Sequence, residues 1–106
     1  MIYSKTISPK ELKQKIDNGE DIFIVDANIH INMLKPIDSA KKISPTDILT
    51  DNFSIPKDKP VIIYCLRGVD SFLLMNMLLS EYAYTDVYSL KSGLEGWHKF
   101  IEETKH

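Results

Sequence analysis

Short apolar runs that alternate with helical patterns constrain the fold of this chain most strongly. The clearest run is PVIIYC at residues 60–65, and further runs are DIFIVDA at 21–27, AKKI at 40–43 and DVYSL at 86–90. Apolar runs of about four to eight residues between turn signals indicate strands that are buried on both faces. Strands separated by helices are typical of a parallel sheet. The sequence therefore predicts an α/β fold with a central, mainly parallel sheet flanked by helices on both faces.

Four helical patterns lie between and after these runs. The first opens at Ser8, the predicted N-cap, with Glu11 in the capping-box position. The second starts at Ser44-Pro45 and extends to about residue Asn52. Ser71 is predicted to cap the third, which is apolar nearly all round and should be buried. A terminal helix follows a turn in KSGLEGWHKFIEE, with its tryptophan in the core.

Length and charge limit the functions that are open to the chain. At 106 residues it can form a single domain, 1–106, with a core of its own. The net charge of -2 disfavours nucleic acid and anionic membranes, because either needs a basic surface. The apolar stretch 61–79 is interrupted by Arg67, Gly68 and Asp70, and falls short of the roughly 18 residues that span a bilayer. We expect no nucleic acid and no membrane as partner.

The single cysteine, Cys65, indicates the compartment. It cannot form an internal disulfide, so folding does not need an oxidising environment. The opening residues, MIYSKTISPKEL, contain no long apolar segment and do not resemble a signal peptide. We therefore expect a cytoplasmic protein. His30, His98 and His106 are scattered along the chain, and with one cysteine they predict no metal site.

The loop after the clearest strand holds the candidate reactive group. Cys65 ends that strand, and ligands bind at the carboxyl ends of strands in parallel sheets. Backbone N–H groups of a glycine-containing loop that leads into a helix tend to converge on an anion. A cysteine beside such a cradle has a stabilised thiolate and is nucleophilic near neutral pH. The predicted substrate-binding cradle consists of Leu66, Arg67, Gly68, Val69, Asp70 and Ser71.

Structural roles are the alternative for several of these residues. Unpaired cysteine is among the most buried residue types, so Cys65 can also be interpreted as a small hydrophobe in the core. Arg67 is expected to serve an anionic substrate, and its alternative role is that of a solvated loop cation. Asp26, at the end of another strand, is expected to brace a loop rather than act as an acid or base.

The loop and its flanking segments resemble the rhodanese family. Cys65, Gly68 and Ser71 form the pattern C-x-x-G-x-x-S, which is similar to the rhodanese active loop after a central strand. ISPKELKQKIDNGEDIFIVDA, PIDSAKKI and VYSLKSGLEGW are similar to the opening, middle and closing segments of that family. Together these segments cover nearly the whole chain, and the resemblance implies a single rhodanese-like domain.

The resemblance also implies a sulfurtransferase. In that family the cysteine takes a sulfane sulfur from a donor, becomes a persulfide, and passes the sulfur to cyanide or a thiol. Cys65 would take this role with no metal or organic cofactor. The implied partners are a small-molecule or protein sulfur donor, such as thiosulfate, a persulfide or a polysulfide, and a thiol acceptor. The sequence identifies neither the physiological donor and acceptor nor the oligomeric state.

Two departures from the family pattern keep other functions open. Asn28 stands where the family usually has an arginine, and Asp70 stands where a basic residue often precedes the serine. The main alternative is therefore a catalytically silent rhodanese-like module that binds a partner protein. A cysteine phosphatase or arsenate reductase is a minor alternative, because those enzymes clamp their oxyanion with an arginine at the position of Ser71.

Overall fold

Strands and helices alternate along the chain in the computed structural model, which describes residues 2–31 and 33–105. The strands are β1 (Thr6–Ile7), β2 (Phe23–Asp26), β3 (Lys41–Lys42), β4 (Val61–Tyr64) and β5 (Val87–Leu90). The helices are α1 (Pro9–Asp17), α2 (Pro45–Leu49), α3 (Val69–Glu81) and α4 (Gly93–Glu103). Each apolar run noted in the sequence therefore contributes a strand.

The strands form one parallel sheet in the order β1-β5-β4-β2-β3. β4 lies at its centre, where Ile63 is opposite Val25 of β2 and Ser89 of β5. Parallel neighbours need crossover connections, and the helices in those crossovers cover the sheet. The predicted α/β fold with a central parallel sheet is confirmed.

Two hydrophobic clusters lie on opposite faces of the sheet because successive side chains of a strand point to opposite sides. Val61 and Ile63 of β4 belong to a cluster with residues of α2 and α3. Ile62 and Tyr64 belong to a cluster with residues of α1 and α4. Burial raises the pKa of the Tyr64 hydroxyl far above its usual range, and this oxygen accepts a hydrogen bond from the N–H of Ile37. Tyr64 therefore helps to hold the segment between β2 and β3 against the core.

Two helix starts carry reciprocal capping boxes. The Oγ of Ser8 accepts from the N–H of Glu11 at 3.1 Å, and the Glu11 carboxylate accepts from the N–H of Ser8 at 3.0 Å. Ser44 and Asp47 repeat this exchange at the start of α2, with both distances 3.1 Å. Each box satisfies backbone donors that have no partner inside the helix. The predicted Ser8 cap is confirmed.

The predicted N-cap of α3 is wrong. The helix begins at Val69, so that Ser71 lies inside its first turn, and Gly68 is the N-cap residue. Gly68 has φ +94, a left-handed conformation that costs little for glycine and lets the chain turn sharply into the helix. Ser71 is thereby placed beneath the loop instead of at the helix boundary.

Two other helix predictions need correction. α2 ends at Leu49 instead of near Asn52, because Asp51 takes a left-handed conformation with φ +58. α3 is buried on one side only, and Leu73 on its other side is 62% exposed. Within the described part of the chain, no helix has the length and apolar character needed to cross a bilayer.

Candidate active site

A pocket of about 230 Å³ opens at the carboxyl end of the central strand β4. Cys65 directly follows β4, and His30 reaches the pocket from the segment after the neighbouring strand β2. This is the edge of an open α/β sheet at which ligands bind. The residues that line the pocket are His30, Cys65, Leu66, Arg67, Val69 and Asp70. His30 was not singled out for this site, since nothing local in the sequence links it to the loop.

The sulfur of Cys65 lies inside the loop, and the residue is only 4% exposed. The backbone N–H of Gly68 donates to Sγ at 3.1 Å, and that of Ser71 donates at 3.3 Å. The Ser71 N–H belongs to the first turn of α3, where backbone donors lack partners within the helix and the helix dipole is positive. The loop therefore surrounds the sulfur with donors suited to a thiolate.

Ser71 joins the sulfur to a second strand. Its Oγ lies 3.4 Å from Cys65 Sγ and 2.8 Å from the Oγ of Ser89 on β5, and both serines are fully or almost fully buried. Ser89 was not predicted as a site residue. A usable signal was present, because a serine two residues after Val87 in the apolar run DVYSL must face the same layer of the core.

The start of α4 supports the loop from behind. The N–H of Leu94 donates to the carbonyl of Cys65 at 2.9 Å, and the N–H of Glu95 donates to the carbonyl of Leu66 at 3.0 Å. Gly93 approaches the same carbonyls so closely that a Cβ placed there would lie 2.5 Å from the Cys65 oxygen. These bonds use the free donors of one helix start to fix the loop that precedes another.

Two opposite charges flank the pocket. The guanidinium Nε of Arg67 lies 3.4 Å from the Glu95 carboxylate, and the Arg67 side chain is 74% exposed. The carboxylate of Asp70 is exposed and makes no hydrogen bond or ion pair with the residues that the structure describes. Glu95 was not anticipated from the sequence. The charge available to an anionic substrate is therefore smaller than Arg67 alone suggests.

Asp26 and Asn28 brace the segment that leads to His30. The Asp26 carboxylate accepts from the N–H of Asn28 at 2.9 Å, and the Asn28 side chain accepts from the N–H of His30 at 3.0 Å. Lys42 of β3 provides a cation 3.5 Å from Asp26 and also donates to the carbonyl of Asn28. The expected bracing role of Asp26 is confirmed, and Asn28 continues the same chain of turns.

The described residues, 2–31 and 33–105, contain no group of histidine, cysteine and carboxylate side chains arranged to hold a metal ion. His106 lies outside them. His98 is on α4, where its Nε2 lies 2.6 Å from the carbonyl of Lys35, away from the residues that line the pocket.

Comparisons with known proteins agree with this geometry. The chain is 31% identical over 81 residues to the thiosulfate sulfurtransferase GlpE of Coxiella burnetii, covering 76% of this chain and 63% of that protein. It is 26% identical over 101 residues to the probable adenylyltransferase/sulfurtransferase MoeZ of Mycobacterium tuberculosis, covering 92% of this chain and 25% of that protein. The chain thus spans less than two thirds of either relative.

Solved structures share the fold. A rhodanese-like domain protein from Staphylococcus aureus is 27% identical and superposes with a TM-score of 0.71, covering 88% of this chain and 90% of that one. Residues 8–100 match the family described as Rhodanese-like domain, and this range includes the cysteine loop, α3 and most of α4. The chain belongs to the rhodanese-like domain family.

Proposed function

We propose that the chain is a sulfurtransferase that carries a sulfane sulfur as a persulfide on Cys65. The observation that carries the proposal is the position of Cys65 Sγ, which accepts from two backbone N–H groups next to an open pocket. A cysteine needed only for packing would require neither these donors nor access to a pocket. Family membership supports the same chemistry.

In the proposed first step, the Cys65 thiolate attacks the outer sulfur of the donor. The S–S bond of the donor breaks, and its leaving group, sulfite or a thiolate, departs with the bonding electron pair. A new S–S bond forms on Cys65, so the number of S–S bonds is unchanged and no external oxidant is needed. The N–H groups of Gly68 and Ser71 favour the thiolate that starts this step.

In the second step, an acceptor thiolate or cyanide attacks the outer sulfur of the Cys65 persulfide. The bond between the two sulfurs breaks, and Cys65 leaves as the thiolate with the electron pair. The two N–H groups that favoured the nucleophile now stabilise the leaving group, so the same contacts assist both steps. The proposed setting is the cytoplasm, where thiol acceptors are kept reduced.

The alternative functions fit the site less well. A phosphatase or arsenate reductase needs a guanidinium at position 71 that faces the bound oxyanion. Ser71 instead is buried, with its hydroxyl between Cys65 and Ser89. A silent docking module would not need donors aimed at the sulfur. A silent module is distinguished from a sulfurtransferase by its failure to accept sulfur from a donor.

Mass spectrometry of the intact protein tests the proposal. After incubation with thiosulfate or with polysulfide and removal of the donor, we expect the mass of one sulfur atom to be gained, located on the peptide that contains Cys65. Later addition of cyanide or a thiol should remove it. If neither donor adds sulfur to the folded protein, the proposal is wrong and the silent module is favoured.

We further propose that Asp70 makes the doubly charged thiosulfate a poorer donor than a hydropersulfide. The carboxylate lines the pocket and has no cation paired with it among the described residues. At a solvent-exposed site such a repulsion reaches about 1 kcal/mol, or about fivefold in binding. Asp70→Asn should therefore raise kcat/KM for thiosulfate several-fold, measured against a hydropersulfide whose smaller charge makes it less sensitive.

Asparagine keeps the shape of the aspartate and its ability to accept a hydrogen bond at a helix start. The melting temperature of Asp70→Asn should consequently stay close to that of the parent protein. Unchanged thiosulfate kinetics in this variant would mean that the carboxylate stabilises α3 and does not select the donor.

Arg67 and Glu95 provide a paired prediction about the same donor. Arg67→Ala should reduce kcat/KM for thiosulfate more than for an uncharged trisulfide, because only the anion uses the guanidinium. Glu95→Gln should act in the opposite direction, since it removes the carboxylate that now lies 3.4 Å from Arg67. Steady-state kinetics on both donors checks this. Equal losses on the two donors in Arg67→Ala would assign Arg67 to the shape of the loop.

A further inference from the structure

Two buried hydroxyl groups extend from the reactive sulfur into the core. Ser71 is 0% exposed and Ser89 is 1% exposed, and their oxygens lie 2.8 Å apart. Ser71 Oγ also lies 3.4 Å from Cys65 Sγ. Ser89 is fixed on β5, next to β4, from which Cys65 follows directly. The three side chains thus form a line from the sheet to the sulfur.

The direction of the bonds in this line follows from counting protons. Each serine hydroxyl has a single proton to donate. Within residues 2–31 and 33–105, Ser71 Oγ is the only hydrogen-bond partner of Ser89 Oγ. If Ser71 donated to Ser89, the Ser89 proton would be buried without an acceptor, which is costly. Ser89 is therefore the donor and Ser71 the acceptor.

With its oxygen accepting from Ser89, Ser71 can direct its own proton to Cys65. A thiolate accepts that bond strongly, whereas the sulfur of a neutral thiol is only a weak acceptor. We propose that Ser89 is a positioning residue that sets the direction Ser89 to Ser71 to Cys65 and so favours the reactive thiolate. The inference gains its catalytic meaning from the proposed sulfur transfer, but the thiolate can be measured without any transfer.

Four titratable side chains also surround the pocket, and their effect on Cys65 must be distinguished from that of the two serines. They are His30 after β2, Arg67 and Asp70 in the loop and α3, and Glu95 on α4. The hydrogen-bond partners of Cys65 Sγ among the described residues are the N–H groups of Gly68 and Ser71 and the hydroxyl of Ser71, none of which carries a charge. Substitution of Ser89 changes none of the charged groups, so its effect on the thiolate reports on the line itself.

The rate of Cys65 alkylation by iodoacetamide, measured against pH, tests the inference. Ser71→Ala should move the profile to higher pH and slow alkylation about tenfold at mildly acidic pH, since a hydrogen bond to a charged group is worth more than one factor of ten. Ser89→Ala should shift the profile in the same direction by a smaller factor, because the Ser71 hydroxyl remains but is no longer oriented by Ser89. In the double variant the Ser89 change should add nothing, because its effect passes through Ser71. Ser80→Ala, on the exposed side of α3, is the control that should leave the profile unchanged.

A matched pair keeps the test decisive if alanine disturbs the core. Threonine and valine have the same shape, so Ser89→Thr and Ser89→Val share any cost of the added methyl group. Threonine should keep the parent alkylation profile and valine should shift it. An unchanged profile in both Ser89→Ala and Ser89→Val, or additive shifts for positions 71 and 89, would overturn the inference. Neither result would depend on whether the protein transfers sulfur.

Discussion

Cys65→Ser is expected to abolish sulfur transfer while leaving the melting temperature nearly unchanged. The serine oxygen can accept the N–H groups of Gly68 and Ser71 that now donate to the sulfur, so no buried donor loses its partner. A serine hydroxyl in this loop has no general base within hydrogen-bond distance among the described residues, and it cannot form a persulfide. Sulfur-transfer assays and thermal unfolding of the same preparation measure both effects.

Cys65→Ala separates the loss of chemistry from the loss of hydrogen bonds. Alanine also abolishes transfer, but it leaves the buried N–H of Ser71 and the half-buried N–H of Gly68 without an acceptor, which should cost about 1–3 kcal/mol for each group that water cannot reach. The alanine variant should consequently unfold at a lower temperature than the serine variant. Appreciable transfer by Cys65→Ser would contradict a persulfide on this residue, whatever the stabilities are.

The sheet could be predicted because its signal is local. Each buried strand is a short apolar run, and the turn residues and capping serines that separate the runs are adjacent to them in sequence. The position of Cys65 followed from the same local signal, since it directly follows the most apolar run. In parallel sheets this position alone determines which edge of the sheet the residue reaches.

The rest of the site depends on contacts between distant segments. Ser89 reaches the site because β5 pairs with β4 in a register that places it opposite Ile63, and no local pattern encodes that pairing. His30 and Glu95 arrive from the segment after β2 and from α4. The wrong cap at Ser71 has a different cause: serine is a strong local cap signal, but Gly68 can adopt a left-handed turn and starts the helix earlier.

Gly93→Ala is expected to reduce sulfur transfer about 100-fold, because displacing reacting groups by about 1 Å has effects of that size. The new Cβ would lie 2.5 Å from the Cys65 carbonyl oxygen and 2.7 Å from carbonyl atoms of Leu66, all of them backbone. Backbone cannot rotate away as a side chain can, so the loop must move. That movement weakens the bond from Leu94 N–H to the Cys65 carbonyl and changes the distances from Sγ to its donors.

Gly19→Ala is a matched control for this effect, because the two glycines differ in surroundings and not in backbone conformation. Gly19 has φ +68 and Gly93 has φ +56, but nothing lies within 4 Å of a Cβ placed at Gly19. Strain from the left-handed conformation, about 1 kcal/mol, is therefore common to both variants. Gly19→Ala should lose only that stability and keep full activity. Gly93→Ala should lose its activity, and its free energy of unfolding should fall by about 1–3 kcal/mol more, which is the cost found for overpacked cores. Unfolding in urea and sulfur-transfer kinetics measure the two losses. If the two variants behave alike in both, strain alone explains Gly93, and α4 does not hold the loop through close contact.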